Sequence, residues 1–143
     1  MKLTAPQEAE IIETMQKYST AYRNKDLKAF SALFSREITG FGSGPDEVIA
    51  DYSSFIRQMK RDISQATILS VEFPDRNIFG DGRIAWVTSQ CIFTFTVDGS
   101  ETQTLPGRST MVLRNTGSRW LIEQIHFSMP SREQSAGQSY PGA

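Results

Sequence analysis

Residues 83–129 read RIAWVTSQCIFTFTVDGSETQTLPGRSTMVLRNTGSRWLIEQIHFSM, and this stretch decides the fold. Apolar and polar side chains alternate through it, as expected for β-strands. Two interruptions, at residues 98–99 and 115–118, carry the Asp, Asn and Gly residues that are typical of tight turns. We therefore predict three long antiparallel strands, with Leu105-Pro106-Gly107 as a bulge or an edge position.

The residues before this stretch have helical periodicity. Apolar side chains recur every three or four positions in residues 5–24, behind Thr4 and Gln7, which can form a capping box. A short helix is predicted after Asp26 and a third helix after residues 43–46.

A change to an alternating pattern follows at residues 67–73 and indicates a further strand. Three helices followed by a strand meander predict an α+β fold, with the helices packed on one face of a curved, mainly antiparallel sheet. We assign residues 1–130 to one domain. Residues 131–143 are rich in Ser, Gly, Pro and Gln, which predicts a disordered tail.

The turns also assign side chains to the two faces of the sheet. Pairing of Val97 with Ser100, and of Arg114 with Arg119, would fix the registers of both hairpins. One face then carries polar groups among large apolar ones, and we predict that it packs on the helices: Trp86, Gln90, Trp120, Gln124, His126 and Ser128. The other face is also apolar: Val87, Phe93, Val112, Leu121, Ile125 and Phe127. Because the helices cover only one face, we expect a second copy of the chain on the outer one, forming a homodimer.

Composition argues against several classes of partner. Lys and Arg total 15 and Asp and Glu total 16, so no strong field attracts nucleic acid or anionic lipid. No apolar run is long enough for a signal peptide or a membrane span, and we expect a cytoplasmic protein. The single cysteine and the single histidine give no set of metal ligands, so no metal or cofactor is predicted.

Four stretches resemble the SnoaL-like domains of the nuclear transport factor 2-like superfamily. They lie at residues 40–50, 80–88, 107–114 and 119–130, and the closing RWLIEQIHFSMP segment is the most specific of them. The resemblance extends over residues 7–130. It implies a cone-shaped α+β barrel, usually dimeric, with a pocket between the helices and the concave sheet. Members include polyketide cyclases, ketosteroid isomerases and dehydratases, as well as binding and assembly modules without chemistry.

The predicted pocket supplies one candidate for catalysis. Related isomerases and cyclases need a proton acceptor in the pocket, commonly an aspartate or an Asp/His pair, but no carboxylate falls on the predicted inner face of the long strands. His126 is the only titratable group there, so it is the candidate for proton transfer. Hydrogen bonding within the core is the alternative role for this histidine.

The remaining candidate residues would bind a small apolar or aromatic molecule. Gln90, Gln124 and Ser128 would orient a polar group of the ligand, or satisfy one another. The predicted walls are aromatic, although these residue types favour plain core packing as the interpretation: Tyr18, Tyr22, Phe41, Tyr52, Phe55 and Trp86. Two functions stay open, a small-molecule protein with isomerase, cyclase or dehydratase chemistry, and a noncatalytic homodimerisation module whose cavity is incidental.

Overall fold

A computed structural model describes residues 2–143 as helices packed on one curved sheet. Along the chain the elements are α1 (Ala5–Arg23), α2 (Leu27–Ser31), β1 (Phe34–Phe41), β2 (Val48–Ile49), α3 (Tyr52–Gln65), β3 (Thr67–Glu72), β4 (Asn77–Gly80), β5 (Ile84–Thr96), β6 (Gln103–Asn115) and β7 (Trp120–Ser128). The α+β class and the packing of the helices against a curved sheet confirm the sequence-based prediction.

Polar caps determine where the helices begin. Thr4 caps α1 in the predicted box, because its backbone N–H donates to the Gln7 side chain at 2.9 Å and its hydroxyl accepts from the Gln7 N–H at 3.2 Å. The second helix begins after Asp26 as predicted, and the Asp26 side chain caps it. The third helix begins later than predicted, behind Asp51, because residues 48–49 pair with β1 instead of entering the helix.

The sheet is mixed and open, with the strand order β2-β1-β7-β6-β5-β3. The first half of β5 pairs with the short strand β4, which the sequence pattern did not reveal, and the second half pairs with β3. β1 runs parallel to β7, whereas the other neighbours are antiparallel. Gly40 permits the close approach of β1 to β7, since a Cβ at this position would overlap the carbonyl group of Ile125.

The predicted side-chain assignment of β5 is wrong by one residue. The β5–β6 register pairs Phe95 with Gln103, one residue beyond the register that a Val97–Ser100 pair would set. A one-residue shift moves every side chain of a strand to the opposite face. Trp86 is therefore 46% exposed on the outer face, whereas Val87 is 1% exposed in the core.

A β-bulge in β7 overturns the second half of the assignment. Leu113 of β6 pairs with Ile122 of β7, whereas Val112 pairs with Gln124. Glu123 is therefore an extra residue in β7. Before the bulge Arg114 pairs with Leu121 and not with Arg119 as predicted. This shift of two residues keeps the predicted faces, and Trp120 is 3% exposed. Beyond the bulge the faces are exchanged. The core face carries Ile125 and Phe127, and the outer face carries Gln124, His126 and Ser128.

The residues after β7 form turns without a helix or strand, and nearly all of them are exposed. The predicted boundary at residue 130 and the predicted disorder of the tail stay predictions. No helix in the described part of the chain has both the length and the apolar character needed to cross a membrane.

Candidate functional site

A cavity of about 590 Å³ lies between the helices and the core face of the sheet. Its inner wall is aromatic, and Tyr18 and Tyr22 of α1 reach it beside Phe55 of α3. The opposite wall comes from the ends of β5, β6 and β7. The cavity opens to solvent where the exposed residues Ser64, Val97 and Asp98 line it.

The aromatic side chains of the wall form one continuous cluster. Neighbouring rings pack at centroid distances of 4.7 Å for Tyr18 and Phe30, 4.5 Å for Phe34 and Phe55, and 5.4 Å for Tyr22 and Phe93. Edge-to-face and tilted packing of this kind is favourable for aromatic pairs. The wall is therefore a packed apolar surface, suited to the carbon skeleton of a small molecule.

Four of the predicted ligand-binding residues line this cavity, namely Tyr18, Tyr22, Phe41 and Phe55. Tyr52 lies just behind the wall, with its ring 6.0 Å from that of Phe55. The other predicted residues do not line it: Trp86, Gln90, Gln124, His126 and Ser128. The single-residue shift of β5 and the bulge in β7 account for all five.

The predicted polar residues come together elsewhere, in a shallow groove on the outer face of the sheet. His126, Gln90 and Ser128 line this groove with Arg108 and hydroxyl-bearing neighbours. His126 is exposed, and its ring lies 5.5 Å from that of Phe41. The prediction that His126 faces the inner cavity is therefore wrong. Trp86 and His126 do share one face, but it is the outer one.

Three carboxylates that the sequence analysis missed line the cavity near its opening: Glu47, Asp62 and Asp98. Glu47 precedes β2, Asp62 lies in the last turns of α3, and Asp98 belongs to the β5–β6 turn. Glu47 accepts a hydrogen bond from the Gly44 N–H, and Arg61 lies 3.6 Å from its other carboxylate oxygen. Asp62 has no such arginine contact, since Arg61 bonds Asp46 at 2.6 Å instead.

Burial raises the pKa of Asp62 from 3.8 to about 6. The negative charge of Glu47 adds to the rise, while Arg61 and a hydrogen bond from Gln58 oppose it. A carboxyl group with this pKa exchanges protons near neutral pH, as a general acid or base requires. Among the residues that line the cavity, Asp62 is thus the one best fitted to acid–base chemistry.

Tyr18 and Tyr22, which line the same cavity as these carboxylates, stay protonated. Burial raises the pKa of Tyr18 and of Tyr22 well above the ordinary value, and the charge of Asp62 raises both further. Their hydroxyl groups therefore act as neutral hydrogen-bond donors at any physiological pH. A carbonyl or hydroxyl oxygen of a ligand is a suitable acceptor for them.

The spacing of apolar residues in α3 could have identified Asp62 as a residue of the cavity. Phe55, Met59 and Asp62 are spaced by four and three residues, so they lie on one face of the helix. Phe55 and Met59 are buried, and the same face carries Asp62 to the cavity. A carboxylate on the apolar stripe of a helix costs stability, which favours a functional interpretation over a structural one.

The raised pKa predicts that Asp62→Asn stabilises the protein at neutral pH. A carboxyl group whose pKa is higher in the folded chain favours folding while it is protonated, and this contribution is lost as the pH rises through about 6. The neutral amide avoids that loss. We expect a gain of about 1–3 kcal/mol in the free energy of unfolding near neutral pH, measured by urea denaturation.

The gain should shrink as the pH falls from 6 towards 4, because wild-type Asp62 then becomes protonated. Glu72→Gln is a suitable control, since this exposed side chain ends β3 away from the cavity. If Asp62→Asn lost stability near neutral pH, or gained as much stability at pH 4 as near neutral pH, burial would not destabilise the ionised carboxylate of Asp62.

The comparisons with known proteins identify the family. The model of the SnoaL-like domain matches residues 11–132. The chain belongs to the SnoaL-like domain family. Comparison with curated proteins found no match to this SnoaL-like chain.

Solved structures share the fold of this SnoaL-like domain at low sequence identity. A nuclear transport factor 2-like protein of unknown function from Pseudomonas putida KT2440 is 18% identical, with 96% of this chain and 98% of that chain covered and a TM-score of 0.78. A nuclear transport factor 2-like superfamily protein from Salmonella enterica serovar Typhimurium is 21% identical, with 92% and 96% covered and a TM-score of 0.77.

A third structure comes from Novosphingobium aromaticivorans and is named for a proposed scytalone dehydratase activity. It is 14% identical, with 84% of this chain and 81% of that chain covered and a TM-score of 0.73. These likenesses support the fold alone. Within residues 2–143, no three His, Cys, Asp or Glu side chains come together as metal ligands.

Proposed function

We propose that this SnoaL-like protein binds a small, largely apolar molecule in the inner cavity and catalyses a proton transfer with Asp62 as the acid–base group. The observation that carries the proposal is the carboxyl group of Asp62 at the cavity wall, with its pKa raised to about 6. The family resemblance is compatible with isomerase, cyclase or dehydratase chemistry. Asp62 takes the role that the sequence predicted for His126, because His126 lies on the other side of the sheet.

The roles of the neighbouring groups follow from their charge. Above pH 6 the Asp62 carboxylate accepts a proton from carbon next to a ligand carbonyl, and the protonated carboxyl group returns it elsewhere on the ligand. Tyr18 or Tyr22 donates a hydrogen bond to the carbonyl oxygen, where negative charge develops. The aromatic wall excludes water and holds the ligand skeleton.

Names of structural relatives give the same class of chemistry indirect support. Two neighbours carry names that propose a dehydratase activity, one from Novosphingobium aromaticivorans and one from Streptomyces avermitilis. When the C–H lies beside a carbonyl group, elimination of water can begin with removal of its proton by a general base, which is the role proposed for Asp62.

The proposal is tested by hydrogen–deuterium exchange of β-tetralone, a neutral bicyclic ketone with acidic protons beside its carbonyl group. Catalysed loss of the proton signal in heavy water is followed by NMR. We expect exchange to accelerate as the pH rises to about 6 and to level off above it, because the carboxylate is the active form. Exchange no faster than in buffer would contradict the proposed chemistry for ketones of this shape.

The noncatalytic module is the second candidate. A cavity closed and filled by the side chains of Tyr22, Phe55 and Trp86 would favour it. Instead the cavity has a volume of about 590 Å³, and Trp86 points away from it. Empty space beside a titratable carboxyl group therefore favours ligand chemistry over an incidental void.

We also propose a homodimer formed through the outer face of the sheet. The helices leave this face uncovered, and large apolar side chains are exposed on it: Phe79 at 55%, Ile84 at 40% and Trp86 at 46%. The Phe79 and Trp86 rings stack with centroids 6.1 Å apart. A twofold axis through such a patch would bring it against its own copy, and this symmetric arrangement favours a second chain as the occupant.

Light scattering at micromolar concentration tests the dimer. We expect twice the chain mass for the wild type and a single chain mass for Trp86→Glu, because a buried unpaired charge opposes association. Gln16→Glu is the control, as it adds the same charge to an exposed position of α1, on the helix side of the sheet. A monomeric wild type would overturn this proposal without affecting the cavity.

A further inference from the structure

The side chains that line the cavity are unbalanced in charge. Glu47, Asp62 and Asp98 contribute three carboxylates, whereas no Lys, Arg or His is among the described residues that line it. Arg61 does not line the cavity. Its guanidinium group lies 3.6 Å from Glu47 and forms its shorter ion pair, at 2.6 Å, with Asp46. An anionic ligand would therefore enter a region of negative potential with no cation to receive it.

The end of α3 adds to the negative potential. Ser64, Gln65 and Ala66 line the cavity, so the carboxyl-terminal end of the helix lies at its opening. Free carbonyl groups at this end carry a partial negative charge. The last turn contains no basic residue to balance it, and Asp62 lies close to it. A ligand cation would stabilise both the helix end and the carboxylate.

The aromatic wall is the second half of a site for an organic cation. Ring faces attract a positive charge at short range, and packed rings line the same cavity as the three carboxylates. We propose that the natural ligand of this cavity carries a protonated amine on an apolar, ring-containing skeleton, with the amine at the acidic opening and the skeleton against the aromatic wall. This inference rests on the proposed ligand-binding function and narrows its ligand class.

Binding of an amine should depend on the protonation of the acidic wall. Asp62 is mostly ionised above pH 6 and mostly protonated below it. The other charged groups around it are Glu47, Asp46 and Arg61. The amine is expected to bind more weakly as the pH falls from 7 to 5. By linkage its binding lowers the pKa of Asp62, which keeps the group in the carboxylate form that accepts a proton from the ligand.

Three probes of equal skeleton and different charge test the inference: naphthylmethylamine, naphthalenemethanol and naphthoate. Their dissociation constants for the full chain are measured by calorimetry near neutral pH. We expect the amine to bind at least about tenfold more tightly than the alcohol, and the carboxylate to bind most weakly. Asp62→Asn should remove most of the amine's advantage over the alcohol.

The outcomes separate this inference from the function on which it rests. Equal affinities for the three probes, or a preference for naphthoate, would overturn the charge selectivity while leaving the cavity as a binding site. An unchanged amine preference in Asp62→Asn would assign the selectivity to other groups and overturn the role given to Asp62. No binding of any probe would contradict the proposed ligand-binding function itself.

Discussion

Asp62→Asn is expected to reduce the rate of catalysed exchange of β-tetralone by at least about 100-fold, because a positioned general base typically contributes a rate factor of this size or more. Asparagine keeps the size of the side chain and removes its ability to take a proton. The corresponding rise in the activation free energy is about 3 kcal/mol or more. Since the same substitution should stabilise the fold near neutral pH, unfolding cannot explain a loss of activity.

A matched substitution separates the local charge from the total charge. Glu72→Gln also removes one carboxylate, but from an exposed position that does not line the cavity. We expect its exchange rate to equal that of the wild type. His126→Gln should likewise retain the wild-type rate, since His126 faces the outer groove. A collapse of activity in His126→Gln with none in Asp62→Asn would reverse the assignment.

The two tryptophans are expected to differ strongly in their contribution to stability. Trp120 is 3% exposed, and its indole N–H donates to a Glu10 carboxylate oxygen at 3.0 Å. Truncation of such a buried aromatic side chain costs about 3–5 kcal/mol, so Trp120→Ala should lower the unfolding free energy by that amount. Trp86 is 46% exposed, and Trp86→Ala should cost less than about 1 kcal/mol within a single chain.

Urea denaturation of both variants measures this difference. Association through the outer face would add a concentration-dependent contribution for Trp86, so the comparison is made after extrapolation to the dissociated chain. Equal losses for the two variants would mean that both side chains are buried in the chain's own core. That result would contradict the register of β5.

The fold was predictable because its determinants are local. The capping box of Thr4 and Gln7 and the start of a helix after Asp26 are readable from the sequence, and both occur as predicted. Alternation of polar and apolar residues located the long strands. β4 escaped prediction because its four residues are too few for alternation to stand out.

The faces of the strands were less predictable, because they depend on single residues in turns and bulges. The Asp98-Gly99 turn is one residue longer than a two-residue hairpin, and this sends Trp86 outward. The bulge at Glu123, which bonds Arg114, turns His126 outward. Both faces of β5 are apolar enough that the pattern alone does not choose between them.

The acid–base candidate was missed for a different reason. The predicted proton-transfer group was assigned to the long strands, whereas Asp62 reaches the cavity from the helix α3. Its place beside Phe55 and Met59 on one helix face was readable from the spacing. Its raised pKa was not, because it depends on burial and on the charge of Glu47, which approaches from a different part of the chain.

The pKa of Asp62 in the folded protein tests the central claim most directly. Carbon-detected NMR of the side-chain carboxyl groups, with Asp62→Asn to assign the signal, follows its titration without any ligand. We predict a midpoint of about 6. A midpoint at or below the ordinary value of 3.8 would mean that the carboxyl group is well solvated or paired, and would contradict its proposed role in proton transfer.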